Sequence, residues 1–224
     1  MLVNADFSRR AMVAADQYEW IASPQSGVER VMLDRIGGEQ ARATSIVRYA
    51  PGSRFPRHAH PGGEEILVLS GVFSDEDGDY PEGWYLRNPP GSAHTPSSLE
   101  GATIFVKLRQ MAPAERSRVR IDTRAPSSWR RERARAVCPL FTCSGEEISL
   151  QRIGANETIL AGPVDGAEML VLAGAVVAGA QHHDSGTWIR LPAGAYPQYR
   201  AGAEGASVYL RIGRPAALPD GQPC

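Results

Sequence analysis

The 224-residue sequence lacks the features that mark membrane and nucleic-acid-binding proteins. Its longest apolar stretch, Met169–Ala180, is interrupted by glycine and is too short to span a bilayer. The formal net charge of −1 provides no overall field that would attract nucleic acid or an anionic membrane. Residues 1–10 contain charged side chains and no apolar segment, so we expect no signal peptide and a cytoplasmic location.

Cysteine and lysine are also scarce. Cys138, Cys143 and Cys224 do not have the spacing of a zinc finger, and an odd number of cysteines favours reduced thiols. Pro139 would allow the first two to form a redox pair, but the nearby sequence supplies no fixed positive charge to activate a thiolate, which favours ordinary thiols. Lys107 is the only lysine, and we interpret this as coding bias. We recognise no Ser-His-Asp set and no phosphate-binding loop.

Histidine is scarce too, but three of the five histidines are spaced so that they can act together. His58 and His60 are separated by one residue, so on a strand both side chains point to the same face. A Pro-Gly-Gly bend follows, after which Glu64 can return a carboxylate to the same point. His94 follows a second apolar run and the turn that ends it. The spacing therefore predicts one metal site with four ligands.

These residues resemble the two sequence motifs of the cupin superfamily. The first motif is matched by Gly52, His58, His60, Glu64 and Gly71. The second is matched by Gly83, Pro89, Gly91 and His94. The resemblance implies an all-β fold, the double-stranded β-helix or jelly-roll barrel, with a metal ion inside it. The 23 glycines and 17 prolines agree with a turn-rich β protein.

The predicted set of ligands limits which metal ions could bind. Three neutral imidazoles and one carboxylate suit a divalent transition metal better than calcium or magnesium. The residues leave Fe, Mn, Ni and Co open beside Zn, and the family resemblance favours Zn. Glu65 follows a ligand on the same strand and should face the other way, so we assign it a salt bridge or a contact that supports the ligands from behind.

The chain contains a tandem repeat. Residues 63–71 recur as residues 166–174 and residues 86–91 recur as residues 189–194, both at an offset of 103. A constant offset across two motifs indicates duplication, so we predict a bicupin. The four ligand positions fall on residues that cannot bind metal in the second copy: Ala161, Pro163, Ala167 and Pro197. Only Glu65 has an acidic counterpart, Glu168, which suggests a role common to both halves.

The second copy has its own polar group in His182-His183-Asp184. Adjacent residues on an extended chain face opposite sides, so these three are poorly placed to rebuild a metal site. We expect them to form an exposed polar loop.

We predict five segments. They are an N-terminal arm (1–27), a metal-binding cupin domain (28–112), an Arg-rich linker (113–136), a degenerate cupin domain without metal ligands (137–214) and a flexible tail (215–224). Within the first domain, Val28–Ile36 and Ala41–Tyr49 are predicted partner strands around a Gly-Gly turn. The linker could be a nucleic-acid arm, but we expect its arginines to pair with surface acids and Trp129 to anchor it, because the rest of the sequence is not basic.

Within the cupins, the first half resembles the cupin domain of the ChrR anti-sigma factors. The similar blocks are residues 42–48, 60–65, 73–76 and 85–91. ChrR proteins carry an N-terminal zinc-binding domain that holds the sigma factor, and the arm before Val28 has neither the cysteines nor the histidines of that domain. We therefore do not expect direct sigma-factor binding. We expect a homodimer, since cupin barrels often pair, and no nucleic-acid or membrane partner.

Two functions fit these observations. The first is a regulatory protein that senses a ligand or an oxidant. For this function we expect a closed, tetrahedral Zn site and little free volume at the barrel mouth. The second is a mononuclear-metal dioxygenase or related enzyme that acts on small carbonyl compounds. For this function we expect open coordination positions and an apolar pocket beside the metal. We favour the regulatory function on the resemblance alone, and a small-molecule ligand is compatible with either.

Overall fold

The computed structural model describes residues 1–38, 40–143 and 145–213, and within them the chain is built almost entirely of strands. The strands are Leu2–Val3 (β1), Ala11–Val13 (β2), Ile21–Ala22 (β3), Val28–Ile36 (β4), Arg42–Tyr49 (β5), Ser53–Arg54 (β6), His58–His60 (β7), Glu64–Asp75 (β8), Gly78–Pro81 (β9), Trp84–Asn88 (β10), Ser92–His94 (β11), Ser97–Ser98 (β12), Ala102–Leu108 (β13), Val119–Asp122 (β14), Arg130–Glu132 (β15), Arg135–Cys143 (β16), Glu146–Ile153 (β17), Thr158–Leu160 (β18), Pro163–Ala178 (β19), Gln181–Asp184 (β20), Trp188–Ala195 (β21) and Tyr199–Ile212 (β22). Ala15–Gln17 and Pro126–Ser128 form short 3-10 helices. In the described part of the chain, no helix has the length and apolarity to cross a membrane.

The described residues divide into two compact units. The first unit comprises residues 1–5 and 19–124. Its main sheet has the antiparallel order β1-β4-β5-β13-β8-β10-β14, and β7 and β11 form a separate pair. Alternation along β8 and β13 turns four apolar side chains into the core of this unit: Ile66, Val68, Ile104 and Val106.

The second unit comprises residues 6–18 and the described residues from Ala125 to residue 213. Its sheet has the order β15-β16-β17-β22-β19-β21-β2, in which the five central strands repeat the order of β4, β5, β13, β8 and β10 in the first unit. β20 occupies residues 181–184, at the offset of 103 from β9 at residues 78–81. The repeated topology agrees with the duplication predicted from the sequence, and each unit has its own apolar core.

The predicted strands at the start of the first domain are confirmed, since β4 and β5 pair around the Gly-Gly turn. The arm and the linker, however, are each shared between the units. β1 and β3 of the arm pair with β4, whereas β2 pairs with β21 of the second unit. In the linker, β14 pairs with β10 of the first unit and β15 with β16 of the second. These segments complete sheet edges, whose exposed backbone groups would otherwise lack partners.

The expectation for His182-His183-Asp184 was wrong in part. These residues belong to β20, which pairs with β19, and form a strand instead of a loop. His182 and Asp184 are exposed, but His183 between them is 3% exposed, because alternation turns its ring inward. The predicted tail at 215–224 and Cys224 lie outside the described residues.

Cys138 is a free thiol, as expected. Cys138 is fully buried, and burial raises the pKa of its thiol to about 11. A thiol with this pKa is almost entirely protonated at neutral pH, which agrees with a structural role.

Candidate metal centre

The three predicted histidine ligands meet where two short strands pair. β7 and β11 are antiparallel, and their register places His58 opposite His94 and His60 opposite Ser92. One nitrogen from each of the three rings lies within 4.8 Å of the other two. His60 and His94 are buried, whereas His58 lies on the more exposed side. This is the one group of three or more metal-ligating side chains found in the described residues that could hold an ion.

Glu64 joins the histidines from the start of β8. Gly63 precedes it with a φ of +76°, and a Cβ atom at that position would overlap the Met111 sulfur, so the bend favours glycine. The bend directs the Glu64 carboxylate inward, with Oε2 lying 3.5 Å from His60 Nε2 and 3.4 Å from His94 Nε2. The structure therefore brings the three histidines together and places Glu64 beside two of them, His60 and His94.

The hydrogen bonds made by Nδ1 of His58 and His94 determine which ring nitrogen of each histidine is free to bind a metal. His58 Nδ1 lies 2.9 Å from the Pro56 carbonyl oxygen, which can only accept, so Nδ1 carries the proton and Nε2 keeps a lone pair. His94 Nδ1 lies 3.3 Å from the Asp75 carboxylate. His60 Nε2 and His94 Nε2 are 3.0 Å apart and both approach Glu64. Converging lone pairs and a carboxylate in a buried pocket are the donor arrangement that a divalent transition metal fits.

Protonation of the two buried rings differs. Burial is the main cause that lowers the pKa of His60, and the neighbouring rings of His94 and His58 add to it. Burial also opposes charge on His94, but the bond to Asp75 and the charge of Glu64 outweigh it, so the pKa of His94 is raised. Because a metal binds the neutral imidazole, a proton on His94 would compete with metal binding.

Four further side chains support the predicted ligands, and none of the four was predicted from the sequence. Asn88 lies opposite Glu64 on β10 and donates to Glu64 Oε2 at 3.0 Å. Arg120 donates to Asn88 Oδ1 at 2.7 Å and, at 3.3 Å, to the hydroxyl of Tyr80. That hydroxyl donates to Asp75 at 3.2 Å, and Asp75 holds His94. These contacts form a continuous path from Glu64 to His94 behind the site.

Two of these four could have been found by comparing the copies. At the offset of 103, Asp75 falls on Ala178 and Asn88 falls on Leu191, so both polar groups are absent where the ligands are absent. Arg120 has no such signal. It lies in the predicted linker, and only the pairing of β14 with β10 places it beside the site.

Glu65 lies on the face of β8 opposite to Glu64. It is 4% exposed, and its carboxylate accepts a hydrogen bond from Arg87 Nη1 at 2.9 Å. Its counterpart Glu168 is buried and accepts from the indole nitrogen of Trp188 at 2.8 Å. This agrees with the salt-bridge role, and the side chains that contact the ligands from behind are instead those of Asn88 and Asp75.

A cavity of about 480 Å³ in the first unit adjoins three of the four predicted ligands. His58, His60 and Glu64 form part of its wall. Most of the remaining wall is apolar, including Val28, Val47, Tyr49, Phe55, Ile104, Val106 and Leu108. Burial and the charge of Glu64 both raise the pKa of Tyr49, so its phenol stays protonated at neutral pH. The volume lies in the range of pockets that bind small organic molecules.

Comparisons with known proteins agree with this fold. Residues 8–112 match the family model of the ChrR cupin-like domain. Several solved structures share the fold over most of the chain. A putative dioxygenase from Nostoc punctiforme has a TM-score of 0.76 at 14% identity, with 95% of this chain and 85% of that chain covered. The pirin YhhW from Escherichia coli, solved with nickel(II), has a TM-score of 0.64 at 11% identity, with 92% and 99% covered.

A variant of oxalate decarboxylase from B. subtilis also matches, with a TM-score of 0.61 at 11% identity and coverage of 92% and 77%. No curated protein sequence matches the chain. At these identities the structural matches establish the fold alone. The protein is thus an all-β cupin that can hold one transition metal ion through its histidine group. More particularly, residues 8–112 of the chain are similar to the ChrR cupin-like domain.

Proposed function

We propose that the protein is a dioxygenase or a related enzyme. Its first unit would contain a mononuclear metal centre that binds and transforms a small organic carbonyl compound. The observation that supports this most is the cavity of about 480 Å³ whose wall includes His58, His60 and Glu64. A closed structural zinc site needs no such space, whereas a substrate does. The putative dioxygenase from Nostoc punctiforme has the same fold, which makes the proposal compatible with the architecture.

Each group at the site has a part in this proposal. His58, His60, His94 and Glu64 would hold the ion, and the ion would supply Lewis acidity or, with a redox-active metal, oxygen chemistry. The apolar wall would exclude water and hold the organic part of the substrate. Asp75 and Asn88 would keep the His94 ring and the Glu64 carboxylate in their orientations.

Ligand or oxidant sensing is the second candidate. The match of residues 8–112 to the ChrR cupin-like domain favours it, because the resemblance to the ChrR anti-sigma factors implies a regulatory role. In this case a zinc ion would complete the site and the cavity would receive a signal molecule without converting it.

Metal analysis combined with oxygen uptake separates the two candidates. We expect the purified protein to contain iron or another redox-active metal and to consume oxygen with small diketones or related carbonyl compounds. A filled, four-coordinate zinc site without oxygen uptake would support sensing and contradict the enzyme.

The ligand assignment common to both candidates has its own test. His60→Ala should lower the bound metal to a small fraction of one equivalent, measured by elemental analysis after dialysis. His182→Ala is the matched control, because His182 is an exposed histidine of the second unit. A His60→Ala variant that retained stoichiometric metal would refute the assignment.

A further inference from the structure

The cavity beside the metal centre is lined by more positive than negative charge. Its charged lining residues are Glu64 and three arginines, Arg30, Arg35 and Arg109. Two of the arginines have hydrogen-bond partners within the protein. Arg35 donates to the Gly38 carbonyl, and Arg109 donates to the Gln40 carbonyl at 2.6 Å. A divalent ion held by Glu64 would add further positive charge, so the electrostatics favour an anionic occupant.

Arg30 differs from the other two arginines. It lies on β4 two residues after Val28, whose side chain is in the core, so alternation directs Arg30 inward. Its Nε is buried, and among the described residues that nitrogen has no hydrogen-bond partner. The neighbouring pair on the other face behaves differently, since Arg48 and Glu29 form an exposed ion pair at 2.6 Å.

A buried guanidinium nitrogen without a partner is costly, because desolvation is not offset by a hydrogen bond. A ligand that accepts a hydrogen bond from this nitrogen would remove the cost, and the planar guanidinium fork matches a carboxylate. The apolar wall includes Val47, which lies opposite Arg30 on β5. The wall therefore offers a cation on β4, an apolar surface, and the metal ligands on β7 and β8.

We propose that the cavity selects oxo acids, small compounds with a carbonyl group that faces the metal ligands and a carboxylate that pairs with Arg30. This inference rests on the proposed function, in that it assumes an organic carbonyl ligand in the cavity. It adds the substrate class and makes Arg30 the residue that determines specificity.

Binding of matched acids and amides tests the inference. The probes are methyl-ketone acids of four to eight carbons, from acetoacetate to 7-oxooctanoate, each compared with its primary amide. Dissociation constants are measured by calorimetry on the full chain in metal-free and zinc-loaded forms. We expect the best acid to bind wild type about tenfold to a hundredfold more tightly than its amide, the size of one charge-assisted contact.

Variants identify the group that makes the distinction. Arg30→Met should remove the preference for the acid, and Arg30→Lys should retain part of it because the charge remains. Arg48→Met is the matched control, since it removes one positive charge from the adjacent strand on the outer face and should leave the preference unchanged. Circular dichroism checks that each variant is folded. If Arg30→Met does not fold, Arg30→Lys is used to test whether the preference for the acid depends on Arg30.

The outcomes separate this inference from the proposed function. Equal binding of acid and amide to wild type, or a preference that survives Arg30→Met, overturns the inference. If no probe binds to protein that holds stoichiometric metal, the inference is also overturned. The assignment of the metal site is not affected by that result. A protein that takes up no metal but still prefers acids through Arg30 would refute the proposed function and support the inference.

Discussion

At the scale of single residues, Asp75 shows how the site depends on groups that do not themselves face the ion. Its carboxylate accepts from His94 Nδ1 and also from the Asp77 amide at 2.9 Å. Burial raises the pKa of Asp75, but the bonds from His94 and Asp77 and the charge of Arg120 outweigh it, so the pKa is lowered. Asp75 is therefore an anion at neutral pH that fixes the tautomer and the orientation of His94.

Asp75→Asn should weaken metal binding about tenfold to a hundredfold, because the neutral amide orients and polarises the His94 ring less well. A competition titration with a chromophoric chelator measures the affinity. Asp79→Asn is the control, since Asp79 is an exposed carboxylate of the same hairpin that accepts from Ser74 Oγ at 2.6 Å. Equal losses in the two variants would contradict a positioning role for Asp75.

Glu76 gives a pH dependence with a definite sign. Bonds from the Thr95 amide and hydroxyl, together with Arg57, lower the pKa of Glu76 from 4.5 to about 2. A carboxyl group with a lower pKa in the folded state stabilises the fold above its unfolded pKa, and this contribution is lost as the pH falls. The loss should therefore occur between about pH 4.5 and pH 2.

We expect Glu76→Gln to be less stable than wild type at pH 7, with a difference that shrinks through this window. Urea denaturation of metal-free protein at a series of pH values measures it. Glu100→Gln, at an exposed position, should follow wild type throughout. A difference between Glu76→Gln and wild type that stays constant from pH 7 to pH 2 would rule out this account.

At the scale of elements, the two copies have a glycine at the same position of the repeat, and the same close contact requires it in both. Gly71 and Gly174 have φ values of +72° and +68°, and each approaches the carbonyl oxygen of a second glycine, Gly101 or Gly205. A Cβ atom at either position would overlap that oxygen. The close approach lets β8 pair with β13, and β19 with β22, where the register shifts.

Gly71→Ala should destabilise the protein by more than the roughly 1–2 kcal/mol that a left-handed conformation costs an L residue. Gly162→Ala is the control. Gly162 has a similar φ of +75°, but a Cβ atom there would meet no other atom within 4 Å, so only the conformational cost applies. Thermal and urea unfolding compare the two, and equal effects would show that the contact with Gly101 is unimportant.

At the scale of the whole molecule, duplication separates the fold from the metal site. The second unit has the same strand order and its own core, although its residues at the ligand positions are Ala161, Pro163, Ala167 and Pro197. Among the described residues, the metal-ligating groups that come together lie in the first unit. The four ligands are therefore not needed to form this topology.

We accordingly expect one metal ion per chain and not two. Elemental analysis of protein saturated with metal and then dialysed measures the ratio. A double variant, His182→Ala with His183→Ala, should keep one equivalent, although it removes the histidines of the second unit. A ratio near two in wild type, falling to one in this variant, would overturn the prediction.

The sequence by itself determined the parts that depend on spacing along one strand or across one short turn. Strand alternation placed His58 and His60 on one face, the glycine bend returned Glu64, and the constant offset identified the repeat. Glu65 was assigned to the opposite face for the same reason. These features are local, so a one-dimensional pattern carries them.

Tertiary structure alone decided what depends on segments far apart in the chain. The partners of β2 and β14 are set by which sheet edge each segment reaches, and this placed Arg120 beside Asn88. The inward turn of His183 depends on the register of β20 against β19. The cavity and the unpartnered nitrogen of Arg30 arise from packing between strands, because free volume and desolvation belong to the assembled core and not to any short stretch of sequence.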